Sequence, residues 1–148
     1  MKNVLPDSNI FIYSVVDDSV YKFKNECDLF FESTLNCHYS IHTLTDIVSK
    51  ELKNKYSLHF DEYLGKITNL EKLKKLTKHE VNKNDIHEII QIKKTAQENN
   101  FNLSFEDSAF YFYAKIKKIC LVTYDSDLFD FSEENKVEVA RAADLIID

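Results

Sequence analysis

Ile119-Cys120-Leu121-Val122-Thr123-Tyr124-Asp125 is the stretch on which the fold turns. From Ile119 to Thr123 it runs apolar without alternation, the pattern of a central parallel strand covered on both faces. Asp125 follows the strand end directly. In an α/β sheet, residues at the carboxyl ends of strands gather in one crevice, where ligands bind. Three other aspartates sit comparably. Asp7 closes the run Val4-Leu5-Pro6-Asp7-Ser8-Asn9, Asp46 comes soon after Ser40-Ile41, and Asp107 ends Ser104-Phe105-Glu106-Asp107. Carboxylates crowded together repel one another unless a hard cation neutralises them. The pattern therefore points to metal-dependent chemistry on a phosphate.

Working outward, residues 2–5 read as a short buried strand, and Asn9 to Val16 and Val20 to Leu35 as helices. The second helix carries Phe23, Cys27, Phe30 and Phe31 at helical spacing. Cys37 to Ile41 reads as a strand and Thr43 to Lys53 as a helix. Further helices are expected at about 59–75 and 84–98, the latter with Ile86, Ile89, Ile90 and Ala96 on one face. Phe105 to Lys117 is apolar on nearly all sides, as in a helix buried between neighbours. Val137 to Val139 is expected as a last edge strand, followed by a short helix from Ala140 to Ile147. Strands alternating with helices imply an α/β fold with a mostly parallel central sheet. Without any linker or internal repeat, one domain over residues 1–148 is expected.

Composition narrows the chemistry. The single glycine (Gly65) and single proline (Pro6) exclude a P-loop and a dinucleotide fingerprint, which need glycines where backbone approaches phosphate. Three widely spaced cysteines (Cys27, Cys37, Cys120) without C-x-x-C argue against structural zinc or a disulfide framework. The five histidines lack H-x-x-x-H spacing, so neither a zinc site nor a histidine base is indicated. No apolar run reaches the roughly 18 to 20 residues of a membrane span, and no signal peptide opens the chain; a cytoplasmic protein is expected. The net charge of −6 is uneven: residues 50–94 hold 11 Lys against 7 acids. Lys72, Lys74, Lys75 and Lys78 within that segment could face a phosphate backbone, although a solvated helix face explains any one of them.

Each carboxylate also has a purely structural reading. Asp7 and Asn9 open a helix and can cap it. Asn9 admits both readings; the direction of the strand aims Asp7 at the crevice. Thr43-Leu44-Thr45-Asp46 and Ser104-Phe105-Glu106-Asp107 both fit the S/T-x-x-D/E capping box, which accounts for either acid taken alone. Capping does not explain why Asp107 opens a helix otherwise almost wholly apolar, where a charge costs several kcal/mol unless paired. A shared cation would offset that cost. Asp125 can belong to a turn, as can Asp127 and Asp130 behind it. Thr123 projects to the same side as Asp125 and could orient a water. Glu51 lies about 140° around the helix from Asp46, and Glu106 sits next to Asp107; both are set aside as pointing elsewhere.

Four segments in order resemble a PIN-domain ribonuclease, close to the VapC-type toxin of a toxin–antitoxin pair. Leu5-Pro6-Asp7-Ser8-Asn9-Ile10-Phe11-Ile12-Tyr13 matches the opening motif, and Ser40 to Ile47 the second strand–helix segment with its acid. Phe105-Glu106-Asp107-Ser108-Ala109 matches the third, and Leu121 to Phe129 the T-x-D-x-D-F ending. The second acid of the family is often Glu, whereas Asp46 is a methylene shorter.

The resemblance implies a three-layer α/β/α PIN-like fold with Asp7, Asp46, Asp107 and Asp125 around one or two Mg²⁺ or Mn²⁺ ions. It also implies hydrolysis of RNA, a small protein antitoxin that wraps the toxin, and commonly a homodimer. Within that scheme Thr123 is expected to position the attacking water and Asn9 to hold the Asp7 carboxylate. Two alternatives remain open from the sequence. One is a PIN-like module that binds RNA or protein without cutting. The other, a phosphatase of the haloacid-dehalogenase type, is weakened because Asp7-Ser8-Asn9 lacks the second Asp of D-x-D.

Overall fold

The computed structural model describes residues 3–16, 23–33, 36–40 and 60–146. Along them run β1 (Asn3–Pro6), α1 (Ser8–Val15), α2 (Lys24–Glu32), β2 (Asn36–Ser40), α3 (Phe60–Lys72) and β3 (Leu76–His79). Then follow α4 (Lys83–Glu98), α5 (Phe105–Lys117), β4 (Cys120–Val122), α6 (Ser126–Glu134), β5 (Val139–Ala140) and a 3₁₀ turn, Ala142–Leu145. The expected helix over Thr43 to Lys53, with Asp46, lies outside the described residues.

The five strands lie in the order β3-β2-β1-β4-β5, and every neighbouring pair is parallel. The chain first moves outward from β1 to β2 and β3, then returns to the other side of β1 for β4 and β5. That reversal makes the carboxyl ends of β1 and β4 the topological switch point, where α/β sheets bind ligands.

Successive strand residues face opposite sides of a sheet, and here each side has its own core. Val4, Cys120 and Val122 pack with Ile10 and Phe11 of α1, Cys27 and Phe30 of α2, and Tyr63 and Leu70 of α3. Leu5 and Leu121 pack on the other side with Ile89 of α4, Phe110 and Ala114 of α5, and Leu128 and Phe131 of α6. Both faces are covered, so the sheet is the middle of three layers. Burying one large apolar side chain contributes roughly 1.5–3 kcal/mol, which explains why β1 and β4 are apolar throughout except at the exposed Asn3. The segment from Ser108 to Ala114 in α5 is buried continuously, as its all-round apolar sequence requires.

Three elements differ from the sequence expectation. Neither β3 nor α6 was anticipated, and β5 begins two residues later than Val137. β3 is an edge strand whose residues are exposed or half-buried, so its sequence carries no apolar alternation. It pairs with β2 in register, Ser40 opposite His79, and His38 Nδ1 lies 2.9 Å from His79 Nε2. The ring centroids are 5.1 Å apart with nearly parallel planes. The two imidazoles therefore meet edge to edge through a shared hydrogen bond rather than face to face. Burial and the Lys117 charge hold both below the usual histidine range. Among the described residues, no helix is long and apolar enough to cross a membrane.

Candidate functional site

Asp7 is the first residue beyond β1, and its backbone N–H still donates to the Val122 carbonyl of β4. The sheet thus fixes its position before any side chain acts. The carboxylate caps α1, accepting from Ile10 N–H at 3.2 Å, and takes the Thr123 hydroxyl at 2.5 Å. It is almost completely buried. Burial pushes its pKa up to about 7 despite the Thr123 bond; Asp107 and Asp125 raise it further. The charges acting on it are thus of its own sign.

Thr123 is fully buried. Its hydroxyl donates to Asp7 and accepts the Asp125 backbone N–H at 3.0 Å, so it ties the two strand ends together. The hydroxyl proton is committed to the Asp7 carboxylate, which leaves the oxygen only acceptor capacity. Asp125 caps α6 by accepting Leu128 N–H at 2.8 Å, a helix that the turn reading overlooked. Tyr124 between them is pinned on the opposite side, its hydroxyl donating to Glu26 and its ring stacked on Phe23.

Asp107 closes the capping box anticipated from Ser104. Ser104 N–H donates to its Oδ2 at 3.2 Å, and its own N–H donates to Ser104 Oγ at 3.1 Å. Capping and crevice roles coexist, since burial raises the Asp107 pKa and the Asp125 and Glu106 charges add to that. Asn9 lines the crevice but does not hold Asp7: among the described residues, Asp7 is bonded by Ile10 and Thr123.

These side chains surround one cavity of about 230 Å³, lined by Asp7, Ser8, Asn9, Ser104, Glu106, Asp107, Phe110 and Asp125. That volume is below the range of pockets for drug-sized ligands and suits an ion with its water shell or a phosphate. Glu106, set aside on the sequence, belongs to it. The Ser8 hydroxyl oxygen is buried with no hydrogen-bond partner among the described residues, an orphan that a polar guest would satisfy. Among the described residues, no three metal-ligating groups stand together at coordination distance. The polar lining offers oxygen donors and neither thiol nor imidazole, the donor chemistry that hard cations take. Mg²⁺ keeps several waters and takes one or two carboxylates directly.

The lysines expected to face a phosphate backbone lie elsewhere. Lys72, Lys74 and Lys75 precede β3 and so sit at the amino ends of the strands, across the sheet from the acids. Lys75 donates to the Ser33 carbonyl at 2.7 Å, and Lys78 pairs with Glu71 at 2.8 Å. Cys27 and Cys120 are buried thiols outside any disulfide, as small core residues.

No family model matches the sequence, and no curated protein matches it. Solved structures do. The toxin VapC20 of Mycobacterium tuberculosis superposes with a TM-score of 0.65 over 84% of this chain and 92% of that one, at 11% identity. VapBC2 from Rickettsia felis matches with a TM-score of 0.62 over 94% and 98%, at 13% identity. A toxin–antitoxin complex from Klebsiella pneumoniae gives 0.59 over 94% and 97%, at 17% identity. The chain has the PIN-like fold of the VapC toxins. In this VapC-type fold the acidic crevice lies at the switch point between β1 and β4, and the fold places Asp7, Asp107 and Asp125 around it.

Proposed function

We propose that this chain is a metal-dependent ribonuclease and the toxin of a toxin–antitoxin pair, active in the cytoplasm. The observation that carries the reading is Asp7, a buried carboxylate raised to about 7 with two more aspartates bearing on it. The charges that act on it are negative, and a divalent ion in the crevice would offset them where otherwise a retained proton must. Bound Mg²⁺ or Mn²⁺ supplies two things here, an acidified water as nucleophile and neutralisation of the scissile phosphate. The protein's own part is placement. Thr123 and Ile10 fix the Asp7 carboxylate, Ser104 fixes Asp107, and Leu128 fixes Asp125. Each retains acceptor capacity toward the cavity. Phosphoryl chemistry built on positioning and charge compensation needs no protein nucleophile. Asp46, just beyond β2, is proposed as a fourth acid of the same crevice.

The toxin assignment and the antitoxin partner are supported by the fold shared with VapBC2 and with the Klebsiella toxin–antitoxin complex. The structural neighbour VapC20 is a sarcin–ricin loop cleaving toxin, which favours RNA as the substrate class here. Homodimerisation is proposed on the sequence resemblance alone.

The test is cleavage of a structured RNA with Mn²⁺ by the wild type, Asp7→Asn and Asp107→Asn, each checked for folding by circular dichroism. Loss of at least a thousandfold in both folded variants is expected. Full activity in either sinks the assignment. A wild type that gains no thermal stability from Mn²⁺ would instead be a PIN-like module that binds without cutting.

A further inference from the structure

In a helix, residues adjacent in sequence diverge by about 100°, and on that ground Glu106 and Asp107 should face different neighbours. The crevice, however, does not lie along the side of α5. It lies over the helix's amino end, where Ser104 is the cap. Side chains tilt toward the amino terminus of a helix, so two residues of the first turn can lean over the same opening. Glu106 and Asp107 both do, and their charges act on each other.

Their commitments differ. Asp7 has one oxygen on a backbone N–H and the other on Thr123, while Asp107 and Asp125 each give an oxygen to a backbone N–H. Glu106 is half-buried and makes no hydrogen bond or ion pair among the described residues. It is also a methylene longer. A hydrated divalent cation presents water protons that need acceptors, and Glu106 has its full acceptor capacity to offer.

We infer that Glu106 is a cation-holding residue of the crevice, accepting from the water shell of the bound divalent ion. The inference rests on the proposed nuclease reading and adds an acid that neither the motif pattern nor helix spacing selects. Losing an outer-shell partner typically weakens metal binding 10–100-fold.

The test is Mn²⁺ affinity of the full chain, read as free Mn²⁺ by electron paramagnetic resonance without RNA. Wild type, Glu106→Gln, Glu106→Asp and the surface control Glu134→Gln are compared. About tenfold weaker binding is expected for Glu106→Gln, partial recovery for Glu106→Asp, and wild-type binding for Glu134→Gln. If wild type binds Mn²⁺ and Glu106→Gln binds it equally, the inference is overturned while the nuclease reading stands. Equal weakening in Glu134→Gln also overturns it, because net charge would then be the cause. A wild type that binds no Mn²⁺ overturns both. Melting temperatures without metal show whether Glu106→Gln is folded, and Glu106→Asp carries the comparison should it not be.

Discussion

Asp7 and Asp28 are the same residue type in one small protein, and their surroundings drive them in opposite directions. Asp28 on α2 receives Lys24 at 2.8 Å and Lys66 at 2.6 Å. Burial raises its pKa, but the hydrogen bonds and charges of the two lysines outweigh that and hold it below the usual range. Both lysines also donate to the Ser14 carbonyl in the last turn of α1, where cations complement the helix dipole. That cluster is closed and explains itself as structure. Asp7 is more deeply buried, and the aspartates near it make its situation worse. One site is balanced from within; the charges that bear on the other are of its own sign.

The largest expected effect tests that contrast through stability. An acid with a raised folded pKa binds its proton more tightly when folded, so stability falls as pH rises from 3.8 to about 7. A shift of about three units corresponds to an upper bound on the order of 4 kcal/mol above neutrality. Asn cannot ionise, although it disturbs the Thr123 bond at a cost of about 1 kcal/mol. Asp7→Asn is therefore expected to be more stable than wild type at pH 8, by about 1–3 kcal/mol, while abolishing cleavage. At pH 4 the two should nearly coincide. Urea unfolding at both pH values checks this, and an Asp7→Asn less stable at pH 8 would mean that Asp7 already has its counter-charge.

A finer probe is Thr123, whose hydroxyl lowers the Asp7 pKa against burial. Thr123→Val removes that bond, so Asp7 should titrate higher still. Hydrogen bonds to charged groups are worth about 1.5–3 kcal/mol, so the pH midpoint of Mn²⁺ binding is expected to rise by about one unit. Thr123→Ser keeps the hydroxyl and should stay near wild type. An unmoved midpoint in the valine variant would show that the contact does not tune Asp7.

The same pairing of regions shows what the sequence could carry. Strand and cap signals are local, so β1, β4, α5 and the Ser104–Asp107 capping box were legible. Asn82–Asp85 and Ser104–Asp107 form the same box, yet Asp85 turns to the Tyr113 hydroxyl, which donates to it at 3.2 Å, and Asp107 faces the crevice. Only the sheet order distinguishes them. Glu106 was misread because helix spacing describes the side of a helix and not its end. β3 was missed because an edge strand needs no apolar face. With it went the His38–His79 contact, which depends on register between strands 41 residues apart. α6 was missed because its two buried anchors, Leu128 and Phe131, are scattered among acids.

The smallest effect belongs to the balanced site. Asp28 is about a third exposed, and ion pairs at such positions are worth about 0–1 kcal/mol after solvent screening. Asp28→Asn should cost about 1 kcal/mol at pH 7, diminishing in high salt, because Lys24 and Lys66 are left facing each other. The pH dependence runs opposite to that of Asp7. An acid with a depressed folded pKa contributes stability above its usual value and loses it as pH falls below 3.8. The penalty of Asp28→Asn should therefore fade in acid, whereas the gain of Asp7→Asn should appear only toward neutrality. Mn²⁺ should leave the Asp28→Asn difference unchanged and erase the advantage of Asp7→Asn, since only one of the two sites has need of a cation. Should Mn²⁺ move both variants alike, the crevice is not where the ion binds.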